Sequence, residues 1–409
     1  MRVTIDRLGH LGDGIAMTPD GPLFVANALP DEVVEGTLDG DQLTDIRIVT
    51  PSPDRVRPPC AHARTCGGCQ VQHGSDAFVE NWKRQVVLAA LQGQGLTAPF
   101  RATVTSPPST RRRATLAARK TKGGALLGFH ARSSGQLVAV PGCKLLHPDL
   151  IAAFAGLEAI ARIGGSRSAE VSLTVTQSPN GVDVVVAGGK PTDSAMRLDL
   201  ARIAEAHRFS RLTWDDETVA LRDHPVQRIG RATVVPPPGA FLQATADGER
   251  ALLAGIRDAL GPQLRIVDLF AGVGTFSLPL AEAAEVCAVE GDRAMTAALD
   301  KAVRQTEGLR KITVETRDLF RRPLEPDEFK GVTGVVIDPP RAGAEQQTER
   351  LARSGVRVIA AVSCNPVTFA RDAKLLVQGG YRLDWVQLVD QFRWSTHVEL
   401  VARFALTHP

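Results

Sequence analysis

The sequence predicts an α/β protein in three parts: an N-terminal small OB-like β-barrel, a central α+β domain and a C-terminal Rossmann-like domain. Three observations predict it. From about Gly239 onward, apolar strand-like runs alternate with helical segments, the pattern of a mostly parallel, doubly wound sheet. Before residue 50, short alternating runs are broken by Gly-Asp-Gly and Pro-Asp-Gly-Pro turns, as in a small barrel. Between them, behind a proline-rich linker from Pro51 to Pro59, strands and apolar helices mix. The boundaries are drawn at 1–52, 53–238 and 239–409.

In the barrel the strand candidates are Val3 to Ile5, Leu23 to Val25, Glu32 to Leu38 and Leu43 to Val49. Such a module commonly binds nucleic acid. Residues 75–95 read as one helix, with Phe78, Trp82, Val86, Ala89 and Ala90 on its apolar face. The central part offers strands Val171 to Val175 and Val182 to Val186 and a helix from Pro148 to Arg162. The C-terminal strands are Arg265 to Phe270, Glu285 to Glu290, Lys311 to Arg317, Val332 to Asp338 and Val356 to Ser363. Tyr381 to Phe392 and His397 to Leu406 then form an antiparallel hairpin at the sheet edge.

Composition excludes several classes. The chain has 409 residues, 44% of them hydrophobic, and no apolar stretch long enough to span a bilayer. The N-terminus lacks the apolar core of a signal peptide, so a cytoplasmic monomer without a membrane partner is expected. A net charge of +3 says little, but its distribution says more. Arg101, Arg111, Arg112, Arg113, Arg119, Lys120, Lys122 and Arg132 form a block free of Asp and Glu, the footprint of a surface that meets phosphates.

Ligands of a doubly wound sheet sit at the C-terminal ends of its strands. There the turn Asp268-Leu-Phe-Ala-Gly272-Val-Gly274-Thr275 allows close backbone approach. Glu290 ends the second strand, where a carboxylate grips a ribose diol; Asp318 ends the third, near an adenine edge, and Asp338 the fourth. Leu278 and Pro279 follow where a dinucleotide fingerprint needs a third glycine, which favours S-adenosylmethionine over NAD. Cys364, in Val-Ser-Cys-Asn-Pro, lies between the fifth strand and a helix opening at Pro366. The helix start is expected to lower its pKa and activate it as a nucleophile. Glu399, in His-Val-Glu-Leu-Val, supplies a carboxylate base on a strand of the same sheet.

These segments together resemble the RNA uracil-5-methyltransferases, the bacterial 23S rRNA enzymes and their tRNA relatives. The likeness is carried by Gly-Ala-Phe241-Leu-Gln243, Asp-Leu-Phe-Ala-Gly-Val-Gly-Thr-Phe, Asp-Pro-Pro-Arg341, Ser-Cys364-Asn-Pro-Val-Thr-Phe-Ala-Arg-Asp and the terminal His-Val-Glu399. The resemblance implies a class I methyltransferase domain behind a TRAM-like N-terminal domain. It also implies that Gln243, Phe270, Thr275, Glu290, Asp318 and Asp338 line the cofactor and uracil pocket. Cys364 would attack uracil carbon 6, carbon 5 would accept the methyl group, and Glu399 would remove the carbon-5 proton. Asp338 would hold the uracil edge. The target base must leave its stack to reach the thiol, which favours structured RNA.

Four cysteines remain: Cys60, Cys66 and Cys69 on one loop, and Cys143 in Pro-Gly-Cys-Lys. Iron–sulfur-bearing members of the family carry a [4Fe-4S] cluster on this arrangement, and four free thiols match the ligand count. Zinc is the lesser alternative. Radical methyl transfer is disfavoured, because no Cys-x3-Cys-x2-Cys run is present. The chain departs from the family at Thr275, where Asn is usual, at Thr110, where Tyr often stands, and at Gln391-Phe-Arg393-Trp394, in place of Met-Phe-Pro. Barrel and cysteines favour rRNA over tRNA as substrate. The rivals are a tRNA uracil-5-methyltransferase, adenine-N6 methylation through Asp-Pro-Pro, and a non-catalytic RNA-binding factor.

Overall fold

The structure, a computed structural model, describes residues 1–407. The first fifty residues form a six-stranded curled sheet in the spatial order Arg2–Thr4, Val33–Asp39, Gln42–Thr50, Gly21–Ala26, Asp13–Thr18, Arg7–Leu8. Its alternating apolar positions, among them Ile5, Val25, Val34 and Leu43, point into one small core. At Gly36 an added Cβ would come 2.5 Å from the Thr44 carbonyl oxygen, so the closest strand approach admits only glycine. Glu32 is fully buried and accepts N–H bonds from Leu29 at 2.8 Å and Ser52 at 3.1 Å, while pairing with Arg55.

A seven-stranded sheet follows, ordered Leu137–Ala139, Ala125–His130, Arg113–Lys120, Val171–Thr176, Asp183–Ala187, Arg211–Trp214, Glu217–Leu221. The helix expected from Pro148 to Arg162 is two, Pro148–Ala152 and Phe154–Gly164, broken at Ala153. Gly164 stands where a Cβ would come 1.9 Å from Trp214 Cη2, so its lack of a side chain seats the indole.

The C-terminal sheet has eight strands, ordered Ile312–Thr316, Glu285–Glu290, Arg265–Leu269, Gly334–Ile337, Val358–Ser363, Leu400–Leu406, Tyr381–Asp390, Val104–Thr105. The first five are parallel and Leu400–Leu406 runs antiparallel to its neighbours. Side chains alternate between two cores. Ile266, Val336, Ala360 and Val401 pack under helix Ala246–Leu260, whereas Val267, Val335, Ile359 and Ala402 pack under helix Pro366–Gln378. Burial on both faces is why these strands read as continuous apolar runs.

One further feature differs from the sequence expectation and another meets it only in part. The terminal hairpin is not the sheet edge: Tyr381–Asp390 is covered by Val104–Thr105, a segment from before the seven-stranded sheet. The helix Asp76–Gly93 packs on the C-terminal core through Val87 and Leu91. Its expected apolar face is divided: Trp82, Phe78 and Val86 pack in a small cluster with Leu8 and Val71, Ala90 packs on the C-terminal core, and this face also borders an open cleft. Apolar periodicity locates such a stripe but not whether protein or a groove lies against it.

Candidate active site

The C-terminal sheet gathers Phe270, Glu290, Asp318, Asp338, Cys364 and Glu399 at one end of its strands. Arg265–Leu269 ends at Phe270, a non-glycine residue with φ 64°, and the chain then turns through Gly272 and Gly274 at φ 57° and 90°. Such a backbone at a large side chain is held only by its surroundings and marks functional loops. A Cβ on Gly274 would lie 2.4 Å from Leu299, whereas one on Gly272 would face open space. The loop is therefore seated on helix Arg293–Gln305 on one side and open on the other. Glu290 accepts the Gly272 N–H at 2.9 Å and the Asp292 N–H at 2.8 Å, which ties the second strand tip to that loop. Thr275 is half-buried in the same turn. Asp318 is exposed and accepts the Phe320 N–H at 2.9 Å. The Phe320 ring lies 5.5 Å from Phe270, an aromatic wall whose second member the sequence reading did not include.

Asp338 follows Gly334–Ile337, with its carboxyl pushed up to about 7 by burial and then by the nearby Asp268 charge. Asp268 is itself fully buried, bonded to the Ser277 hydroxyl at 2.5 Å, and also pushed up to about 7, chiefly by burial. Gln243 is buried and donates to Asp338 Oδ2 at 3.3 Å.

Cys364 and Glu399 are brought together by register. Ser363 pairs with Leu400 across the antiparallel ladder, so Cys364 and Glu399 are the next residues outward and stand opposite each other. Cys364 opens onto a cleft of about 880 Å³, walled by Arg341, Asn365 and Val367, by the helix residues Phe78 and Trp82, and by Arg7 and His10 of the N-terminal sheet. Asn365 caps the following helix at the Val367 N–H, 3.0 Å, and donates to the Arg341 carbonyl at 2.9 Å. Glu399 is buried, and its carboxyl is raised well above the ordinary range by burial and then by Asp338, against the hydrogen bond from Gln391.

One expectation is overturned here. The helix start does not lower the Cys364 pKa: burial, then the Glu399 and Asp338 charges, push the thiol up to about 11. Two carboxylates and desolvation outweigh a partial charge at the helix end.

Three of the eight members of the basic block are paired with carboxylates within the chain. Arg112 is buried against Glu249 and donates to the Gln243 carbonyl at 3.1 Å; Arg101 pairs with Asp258 and Arg132 with Asp13. Arg111 and Arg113 face the cavity of the cysteines. Arg119, Lys120 and Lys122 form no ion pair among the described residues. Charge counting sees no partner because the carboxylates come from distant segments.

Cys60, Cys66, Cys69 and Cys143 line one cavity of about 330 Å³, and all are free thiols. The loop is fixed at Gly67, whose N–H donates to the His130 carbonyl at 2.9 Å and whose added Cβ would clash there. Backbone N–H groups already reach two sulfurs, Gly68 to Cys66 at 3.4 Å and Leu145 to Cys143 at 3.5 Å. Burial pushes the Cys69 thiol up to about 12. Among the described residues no three His, Cys, Asp or Glu side chains converge on a point that would hold one metal ion.

A glycine turn open on one side, acidic strand tips and a thiol opposite a carboxyl at the C-terminal edge of a doubly wound sheet are the arrangement of a class I methyltransferase. Comparison with known proteins agrees. Residues 236–403 match the family described as tRNA (Uracil-5-)-methyltransferase. An uncharacterized RNA methyltransferase of Brucella suis is 42% identical over 98% of this chain and 97% of its own. The 23S rRNA (uracil(1939)-C(5))-methyltransferase RlmD of Shewanella piezotolerans is 32% identical over 99% and 96%. The fold is shared with the Pyrococcus abyssi tRNA (uracil-54, C5)-methyltransferase in complex with S-adenosyl-L-homocysteine, at TM-score 0.78, 23% identity and 99% of both chains. The chain belongs to the RNA uracil-5-methyltransferase family and is an S-adenosylmethionine-dependent enzyme acting on RNA. No helix among the described residues is long and apolar enough to cross a membrane.

Proposed function

We propose that this enzyme methylates carbon 5 of a uridine in structured RNA, with 23S rRNA the favoured substrate, through a covalent adduct between Cys364 and the uracil ring. The observation that carries the reading is the placement of Cys364 opposite Glu399 at the mouth of an open cleft. As Cys364 Sγ bonds to carbon 6 its proton leaves through the cleft, and the ring π electrons move onto the carbonyl oxygen at carbon 4. S-adenosylmethionine, when bound, would supply an electrophilic methyl group: carbon 5 would take it as the enolate collapses back to the carbon-4 carbonyl, and the pair of the broken methyl–sulfur bond would stay on the sulfur. Glu399 then removes the carbon-5 proton, the freed pair restores the ring double bond, and the sulfur leaves as thiolate. The raised Glu399 pKa suits a group that must hold that proton. Asp338 would orient the uracil edge. Phe270, Thr275, Glu290, Asp318 and Gln243 would hold the cofactor, with Gly272 giving its backbone room.

In this reading residues 1–52 and 53–238 grip RNA around the target and residues 239–409 carry the chemistry, all in the cytoplasm and in a monomer. Cys60, Cys66, Cys69 and Cys143 would hold a [4Fe-4S] cluster. The donor set fits: four thiols share one cavity and two already receive backbone N–H bonds, the contacts that tune cluster sulfurs. Zinc held by the same four thiols is the lesser alternative. The preference for rRNA is supported by full-length likeness to an enzyme named for 23S rRNA, and a tRNA substrate is the alternative.

The test is incubation with cofactor and 5-fluorouridine RNA. Fluorine at carbon 5 cannot leave as a proton does, so a denaturation-stable protein–RNA adduct should accumulate in the native protein and vanish in Cys364→Ser. Absence of adduct in the native protein refutes the covalent route. Supplying rRNA and tRNA fragments separately decides the substrate.

A further inference from the structure

We infer that Gln391 is a positioning residue for the general base, holding the Glu399 carboxyl and, through Gln243, the Asp338 carboxyl in one hydrogen-bonded frame. This rests on the reading above that Glu399 removes the carbon-5 proton. Gln391 is 1% exposed, and its whole amide is used. Nε2 donates to Gln243 Oε1 at 2.6 Å and to Glu399 Oε2 at 3.2 Å, while Oε1 accepts the Thr245 N–H at 3.4 Å.

The direction of these bonds is dictated by one atom. The Thr245 backbone N–H is only a donor, so it must meet the Gln391 carbonyl. A flipped amide would set NH₂ against N–H and a carbonyl oxygen against the Glu399 carboxyl. With Gln391 fixed, Gln243 must present its carbonyl to Gln391 and its NH₂ to Asp338 Oδ2. Two amides in series thus carry a donor direction from the helix start to both carboxyl groups.

The surroundings are cut to this side chain. An added Cβ on Gly248, in the first turn of Ala246–Leu260, would come 2.7 Å from Gln391 Cβ and 2.9 Å from its Oε1. The residue before Gln391 is anchored as well: Asp390 pairs with buried Lys83 at 2.8 Å, and Lys83 also donates to the Phe392 carbonyl at 3.2 Å. With Oε2 engaged by Gln391, Oε1 of Glu399 is the oxygen left to take the proton. Methyl transfer itself needs only the thiolate, the ring and the sulfonium. Gln391 therefore bears on the elimination step: Glu399 gains the carbon-5 proton, that C–H pair becomes the ring double bond, and the Sγ–carbon-6 pair returns to Cys364.

The experiment separates the two steps with RNA tritiated at uridine carbon 5 and a methyl-labelled cofactor. Gln391→Met keeps the volume and unbranched shape but has no N–H donor. First-turnover methyl incorporation, which meets the change only indirectly through Gln243 and Asp338, should slow by no more than about threefold. Tritium release should slow about tenfold, equivalent to about 1.4 kcal/mol. Adduct with ordinary uridine RNA should then accumulate. Gly248→Ala, which displaces the amide without altering it, should give the same split in milder form and carries the test if Gln391→Met folds poorly. Equal slowing of both steps, or of neither, in the folded variant overturns the role of Gln391. Failure of the native protein to trap 5-fluorouridine RNA would instead overturn the covalent reading beneath it.

Discussion

Cys364 in the free enzyme should be a sluggish nucleophile, and its reactivity should climb with pH far beyond the range of an ordinary cysteine. Its thiol is pushed up to about 11, from 9.0, by burial first and then by Glu399 and Asp338. At about pH 8 that leaves roughly one thiolate per thousand molecules, against roughly one in eleven for an unperturbed thiol, a hundredfold reduction. The assay is alkylation by iodoacetamide, followed by mass spectrometry of the peptide that contains Cys364 so that the other five thiols do not interfere. The rate constant should rise about tenfold per pH unit between about pH 7 and 9.5 without levelling. Glu399→Gln should lower the titration but leave it above 9.0, because burial is the larger cause and is untouched. A plateau below about pH 9 in the native protein would refute the reasoning, since it would mean that the helix start outweighs burial and two carboxyls.

Three further outcomes are expected. Lys83→Met should destabilise the protein by about 3–5 kcal/mol, because it strands the buried Asp390 carboxylate, and Lys83→Met with Asp390→Leu should recover much of it; urea unfolding of the native protein and the two variants measures this. Glu32→Gln should cost about 2–3 kcal/mol near neutral pH. Burial would raise the Glu32 carboxyl, but Arg55 and the Leu29 and Ser52 N–H groups together hold it below 4.5. Its contribution is thus complete above the unfolded value and lost as pH falls through the lower folded one, so native and variant melting curves should converge in acid. Cys143→Ser should remove one ligand from the cavity, and iron and sulfide analysis of anaerobically purified protein should show loss of the cluster, while a native protein containing only zinc would refute the cluster assignment.

The parallel strands of the C-terminal sheet are legible in the sequence, though not their spatial order, because most strands from Arg265 to Ser363 are apolar runs buried on both faces and each is separated from the next by a helix-length segment. The strand tips are legible too, since Glu290, Asp318, Asp338 and Cys364 each interrupt or follow an apolar run. The helix Asp76–Gly93 is legible as a helix, but its faces are not. Trp82 and the buried Lys83 are neighbours on it, and a lysine reads as solvent-exposed until Asp390, some three hundred residues away, is seen beside it. Gln391 was visible only as a departure in a motif, because hydrogen bonds to Thr245, Gln243 and Glu399 leave no periodic trace.

The sequence by itself determined the fold class, the family and which residue types stand at the strand ends, because these depend on local patterning and motif order. Only the tertiary structure decided the chemical state of those residues. Burial raises Cys364, Glu399 and Asp338, and neighbouring carboxyl charges raise them further, those of Glu399 and Asp338 at Cys364, of Asp338 at Glu399 and of Asp268 at Asp338. Arg101, Arg112 and Arg132 of the basic block likewise found their carboxylates only when distant segments met. Ionisation and pairing are set by distances in space, and those exist only once the chain has folded.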